Sequence, residues 1–443
     1  MKVNVNIPNK ELESHVLVTA RSGGGKSVYL LSLLFALIRQ SNGNRKHSIL
    51  LIDPHGDLAR SCMALTIQDK SRLIYLSTAI NREAKTDKNY TFVFNPFFYD
   101  GSAEMRELLT DTLTDCLCEL LSDASLTYQM QRVIKPCIDA VLRIKDPAQR
   151  NLATLARFFV EGDNLDLVRL GLESDSEQHQ KFFQNWYAEH LKVSKNSLNV
   201  KLSFFLTDKK LTSILNGVPT IDYEKAINED GAVILLNITK GSGGFTSRII
   251  GKLMFAYLHA LMMRRDALEE HERKNLYVLA DEAASVLTAS TGASLAEARK
   301  YKMICCLSLQ SLSQVTDKAL RDTITVNTGL KIAGQTSYAD RVFFSRELGI
   351  SQKEMENLHP LEFYMKRPSG RSKVMKFKAM ILPRFYFISK KQKQQLLQWI
   401  VKESGQYQIV APPPPPPPPE IQLPKSLTKK QPKPPSDGLK PAF

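Results

Sequence analysis

ARSGGGKS, Ala20 to Ser27, is the stretch on which the reading of this sequence turns. It follows the apolar run HVLVTA (His15 to Ala20) and precedes VYLLSLLFALI (Val28 to Ile38), an order that predicts strand, glycine-rich turn and helix. Gly23, Gly24 and Gly25 carry no Cβ, so the backbone can fold back and point its N–H groups inward at an anion. The start of the helix adds its positive end. Lys26 supplies a mobile ammonium for β- and γ-phosphate oxygens, and the Ser27 hydroxyl is placed to ligate Mg²⁺. The residues expected to wrap a nucleotide are therefore Ala20, Arg21, Ser22, Gly23, Gly24, Gly25, Lys26 and Ser27. The phosphate-loop pattern is met except at its first position, where Ala20 replaces glycine, a change tolerable if that residue keeps a negative φ.

Further along, SILLIDPHGD is a wholly apolar run closed by Asp53-Pro54-His55-Gly56-Asp57. Such a run suits a strand of a parallel sheet covered on both faces. Proline stops the strand, which puts the loop at the sheet's carboxyl edge beside the glycine loop. Asp53, His55 and Asp57 are placed to approach the nucleotide or a neighbouring subunit, and read equally as a capped turn with solvated charges. LIYLS (Leu73 to Ser77) and TFVFNPF (Thr91 to Phe97) continue the strand signal.

From about Ser102 to Val218 apolar residues recur at three-and-four spacing, as in MRELLTDTLTDCLCELL and YQMQRVIKPCIDAVLRI, which predicts an all-helical insertion. Strands resume with GAVILLNI (Gly231 to Ile238), followed by a Gly-Ser-Gly-Gly turn and a long helix. LYVLADEAASVL then ends an apolar strand in Asp281-Glu282. An aspartate there can hold Mg²⁺, and the adjacent glutamate can orient and deprotonate an attacking water. In MICCLSLQ (Met303 to Gln310), Gln310 falls at the next strand's end, where its amide is placed either to contact the γ-phosphate or merely to cap a turn. KRPSGRSKVMKFKAM (Lys366 to Met380) predicts a basic hairpin, a DNA contact or an edge protected by lysines.

The formal net charge is +15, which points to a polyanionic partner such as nucleic acid or an acidic membrane surface. No apolar run reaches the ~18 residues that would span a bilayer, and MKVNVNIPNKELES lacks the apolar core of a signal peptide. The six cysteines include no C-x-x-C pair and read as reduced core residues of a cytosolic protein. After Val410 come eight consecutive prolines, Pro412 to Pro419, and a lysine- and proline-rich end. This predicts an extended, disordered tail that serves as a spacer or as a ligand for a polyproline-recognising partner.

The order ARSGGGKS, LLIDPHGD, FNPF, helical insert, LYVLADEA, EARKYKMICCLSLQSLSQV, NTGLKI and SRELG resembles the HerA/FtsK superfamily of P-loop DNA pumps. Within it, the chain is most similar to type IV coupling proteins, ATPases that deliver DNA to a conjugation or type IV secretion channel. The resemblance implies a RecA-like α/β domain with a mostly parallel sheet, divided as residues 1–101 and 221–405, with the helical domain at 102–220 and the tail at 406–443. It also implies a homo-hexameric ring that binds ATP and Mg²⁺, carries DNA without regard to sequence, and works with relaxosome or secretion-channel components. By position, Lys26 and Ser27 match the family's phosphate loop, Asp281 and Glu282 its metal and water residues, and Gln310 its glutamine. Arg299 matches the arginine that such proteins insert into a neighbour's site, where a guanidinium fork suits phosphate oxygens. Most coupling proteins begin with membrane helices. This sequence starts almost at the first strand, so the expectation is a cytoplasmic variant docked peripherally at the membrane by a partner. Motors for protein cargo, or for packaging DNA into virions, carry the same motifs and remain alternatives.

Overall fold

Apolar runs without polar alternation need cover on both faces, and they form the middle of a single large sheet. The computed structural model describes residues 12–41, 46–65, 70–121, 127–239, 244–367 and 374–410. The proline tail, most of the amino-terminal lead-in, most of the Gly-Ser-Gly-Gly turn, and the Pro-Ser-Gly turn of the basic hairpin with Lys373 lie outside these residues. In chain order the strands are β1 (Val16–Thr19), β2 (His47–Asp53), β3 (Leu73–Ser77), β4 (Tyr90–Thr91), β5 (Val233–Asn237) and β6 (Asn275–Ala280), then β7 (Met303–Leu309), β8 (Leu330–Ala333), β9 (Glu362–Lys366), β10 (Met375–Lys378) and β11 (Gln408–Ile409). Nine of them make one sheet in the order β10-β9-β8-β1-β7-β6-β2-β5-β3. The run from β8 to β3 is parallel throughout, and β9 and β10 add an antiparallel margin.

Register decides what the sheet can do. Thr19 pairs with Leu309 and Ala333, Ala280 with Ile52 and Leu307, and Asp53 with Asn237. The residues that follow these strand ends therefore share one edge of the sheet, the carboxyl edge where open α/β folds bind ligands. β7, reached late in the chain, lies between β1 and β6. It separates the glycine loop from the acidic pair by one strand's width and leaves room between them.

Both outer edges are protected in ways physics requires of unpaired strands. Beyond β3, the Gln406 side chain accepts from the Tyr75 N–H at 2.8 Å and donates to the Leu73 carbonyl at 2.8 Å. The Tyr407 hydroxyl accepts from Ser77 N–H at 2.7 Å and donates to the Tyr75 carbonyl at 2.8 Å. Gln406 to Ile409, which composition assigns to the tail, thus close the β3 edge and pair β11 with β4. At the far margin, β10 presents Lys376 and Lys378, and Lys376 meets Glu362 of β9 at 3.0 Å.

The expected strand Thr91 to Phe97 is not one: only Tyr90–Thr91 pairs. Past Thr91 the chain turns inward as a buried loop. Its N–H groups find partners outside any ladder, as Phe94 does at Ile214 O, 2.7 Å away. The Asn95 amide bridges the carbonyls of Arg150 and Gly217, so this loop clips the helical stretch to the sheet. Between β4 and β5 the described chain is helical, from Ala103–Leu121 through Tyr223–Asn228. The helix Phe245–Met263 packs on Ala103–Leu121 through Lys252 and Glu119, 2.8 Å apart. All six cysteines are free and buried, and burial pushes the Cys305 thiol up to about 12. No helix among the described residues is long and apolar enough to cross a membrane.

Candidate functional site

The glycine loop leaves β1 with Ala20 fully buried and outside the left-handed region, which meets the condition set on that alanine. Its backbone is tied to both neighbouring strand ends. Ala20 N–H donates to Leu309 O at 3.3 Å and Arg21 N–H to Gln335 O at 2.6 Å. Gly23 and Gly25 take φ of +74° and +101°, conformations that cost a side chain dearly. The loop is braced from a side its own sequence gives no sign of: Leu361, just before β9, donates its N–H to Gly24 O at 3.0 Å. A Cβ on Gly25 would come 2.6 Å from Leu361 Cδ2 and 3.0 Å from its Cα. Gly25→Ala is therefore expected to lose nucleotide affinity at least about tenfold and to destabilise the fold by about 1–3 kcal/mol. Titration with a non-hydrolysable ATP analogue and thermal unfolding check this, and unimpaired binding would contradict it.

The helix Lys26–Ser41 follows directly. Lys26 is buried, and its ammonium donates to the carbonyls of Ala20 and Arg21, the latter at 3.3 Å. Burial lowers its pKa, opposed by the attraction of Asp281 and Glu282, so the lysine and the acidic pair share one field. Ser27, in the first turn, is exposed. Across the gap, Asp281 at the end of β6 is 6% exposed and accepts from the Ser308 hydroxyl of β7 at 3.2 Å. Burial, and then the charge of Asp53, raise its carboxyl above the ordinary value, with Ser308 and Lys26 pulling the other way. Ser27 and Asp281 are hard oxygen donors of the kind Mg²⁺ takes alongside phosphates and water. They fit that ion.

Glu282 adopts φ +57° and ψ +56°, a left-handed backbone that a non-glycine residue holds only where its surroundings dictate it. The Gln310 side chain donates to Glu282 Oε1 at 2.9 Å. What the Gln310 side-chain amide touches here is the glutamate rather than the turn that follows it. On the other side, His55 Nε2 lies 2.6 Å from the same oxygen. Asp53 is fully buried and accepts from the N–H groups of His55 and Ala59, both at 2.9 Å. Asp57 is solvated and pairs with Arg60 at 2.6 Å. The loop after β2 thus divides: His55 joins the site, Asp53 shapes the turn, and Asp57 fits the solvated reading.

Arg299 is not among them. It follows the helix Ala289–Ala298 and precedes β7, so it sits at the amino edge of the sheet, exposed, in a surface recess with Glu13, Glu270 and Lys302. The length of β7, about 20 Å at ~3.3 Å per residue, separates it from its own phosphate loop. The helix before it is held by His15, which receives the Cys305 N–H on Nδ1 and so donates from Nε2 to Leu295 O, both at 2.9 Å. Burial depresses the His15 pKa to about 4, which keeps the ring neutral. Sequence reasoning missed Ser308, whose signal was one hydroxyl in an apolar run, and Leu361, which had none.

Residues 1–115 match the family model described as the central domain of the helicase HerA. The fold resembles solved structures of the bacterial conjugative coupling protein TrwB. One, a trigonal form in complex with sulphate, is 17% identical with a TM-score of 0.60, over 89% of this chain and 91% of that one. Another, in complex with ADP and Mg²⁺, is 16% identical with a TM-score of 0.60, again over 89% and 91%. A third, with the GTP analogue GDPNP, is 16% identical with a TM-score of 0.58, over 88% and 92%. At these identities the likeness establishes a RecA-type α/β fold shared across most of both chains. No curated protein matches the sequence. The HerA side of the resemblance read from the motifs is met by the family model over the first quarter of the chain, and the α/β fold that it implies is met by the solved structures over most of it.

Proposed function

We propose that this chain is an ATP-hydrolysing motor of the coupling-protein kind, which assembles into a ring and drives DNA through it. The single observation that supports this most is the division of the candidate residues between two edges of one sheet. Lys26, Asp281, Glu282 and Gln310 gather at the carboxyl edge, and Arg299 stands at the other. Such a site lacks its arginine unless a second copy brings it.

In this reading the loop N–H groups and the helix start hold the triphosphate, and Lys26 moves from the carbonyls of Ala20 and Arg21 to the β- and γ-phosphate oxygens. Ser27 and Asp281 would hold Mg²⁺, which when bound neutralises charge on those phosphates. Glu282 orients the attacking water and takes its proton. Gln310, bonded to Glu282, passes the change at the γ-phosphate to the segment Ser311–Val315 that follows it. Arg299 of one copy completes the site of the next, and repetition of that contact closes a ring, six-membered as in the superfamily the sequence resembles. The helical stretch 102–220 forms an inserted domain, and the proline tail tethers a partner. Lysines grip DNA by its phosphates without reading bases. Components of a relaxosome or secretion channel dock the ring at the membrane.

The test is ATP hydrolysis by the full chain with and without DNA over a series of salt concentrations. DNA should raise the rate, the stimulation should fade as salt rises, and Lys26→Ala should be silent in both conditions. A rate indifferent to DNA at every salt concentration would contradict the cargo and favour a motor acting on protein.

A further inference from the structure

The turn after β2 is built more firmly than a solvated loop needs to be. Asp53 fixes its start through two N–H groups. Gly56, at φ +81°, is pressed so close to the end of β5 that a Cβ there would lie 2.2 Å from Asn237 Oδ1. Asn237 in turn donates to the Tyr75 hydroxyl at 2.9 Å and to Glu83 at 3.0 Å, and Arg60 reaches the same Glu83 oxygen at 3.3 Å. What this framework presents is one ring, His55. Unlike His15 and His47, which are buried against backbone carbonyls, His55 has a side chain that is 45% exposed, so core packing does not explain it. Its ring reaches Glu282 Oε1, the oxygen that Gln310 also holds.

We infer that His55 is a positioning residue for Glu282. With Gln310 it grips the carboxylate through a single oxygen from two sides, and so sets the direction in which the base meets the attacking water. The two donors come from the ends of different strands, β2 and β7, and they flank a residue whose own backbone is left-handed. Two donors converging on one oxygen from different directions hinder rotation of the carboxylate about its terminal bond, and rates fall steeply when a base is misaligned. The inference rests on the reading of Glu282 as that base.

Steady-state ATP hydrolysis by the full chain tests it, together with affinity for the non-hydrolysable analogue AMP-PNP. His55→Ala should lower kcat about ten- to a hundredfold, what one charge-assisted hydrogen bond is worth in a rate. KM and AMP-PNP affinity should stay unchanged, because His55 contacts the base and not the phosphate loop. His55→Gln, whose amide nitrogen falls near the position of Nε2, should recover much of the loss. In the Glu282→Gln background, His55→Ala should have no further effect, since residues acting through one group are not additive. An unchanged kcat in His55→Ala overturns the inference, and so does a full further loss in the Glu282→Gln background. If His55→Ala loses AMP-PNP binding through misfolding, His55→Gln and His55→Leu decide. They are similar in size and differ in the donor, and equal rates for the two would overturn the inference. A wild-type rate that Glu282→Gln leaves intact would instead remove the base itself, a failure distinct from that of His55.

Discussion

Arg299→Ala is expected to bind ATP as the wild type does and to hydrolyse it about 10³–10⁵ times more slowly, the contribution of an arginine finger to phosphoryl transfer. The expectation comes from where the residue lies. Its guanidinium stands at the amino edge of the sheet, a strand's length from the phosphate loop of the same chain, so removing it cannot disturb nucleotide contacts there. It is exposed, and it lies in the turn just past a helix fixed by His15. A surface arginine with no role in turnover would leave the rate untouched, and an arginine needed for folding would lower AMP-PNP affinity as well. Only a residue acting on a neighbour's site separates the two readouts. Arg299→Lys should recover little, because an ammonium lacks the planar fork.

Glu282→Gln should lower hydrolysis by about 10²–10⁴, the usual share of general acid–base catalysis, again without loss of nucleotide affinity. Glutamine is nearly isosteric, and its Oε1 can still accept from His55 and Gln310, so the framework survives while the proton acceptor is gone. The left-handed backbone at 282 makes alanine a poorer probe, since it would remove the side-chain contacts along with the charge. Hydrolysis that persists in Glu282→Gln would move the role of base elsewhere. Asp281, buried and bonded to Ser308, would then be the residue to change next.

Much of this arrangement can be read from the residues alone, and the reason is local. Three glycines before Lys26-Ser27, a proline after Asp53 and two carboxylates after an apolar run each follow from the chemistry of a few consecutive residues. The helical stretch after Ser102 follows from periodicity alone. What the sequence hides is non-local. TFVFNPF has the composition of a strand, yet its Phe94 N–H goes to Ile214 O and its Asn95 side-chain amide to the carbonyls of Arg150 and Gly217, all more than fifty residues away. Gln406 and Tyr407 read as the start of a tail until their side chains are seen to complete the hydrogen bonds of β3. Leu361 braces the glycine loop across more than three hundred residues. His55 could be brought to the right edge but not to its partner, because the distance to Glu282 depends on the strand order, which no local pattern encodes.

One mixing measurement bears on the central claim that each site is shared between two copies. Lys26→Ala and Arg299→Ala are each expected to be inactive alone, the first for want of a phosphate grip and the second for want of the neighbour's guanidinium. Mixed and allowed to exchange in the presence of DNA and ATP, they should regain hydrolysis, because some interfaces then join the intact loop of the Arg299→Ala copy to the intact Arg299 of the Lys26→Ala copy. If subunits are shown to exchange and the mixture stays as silent as its parts, the shared site is contradicted.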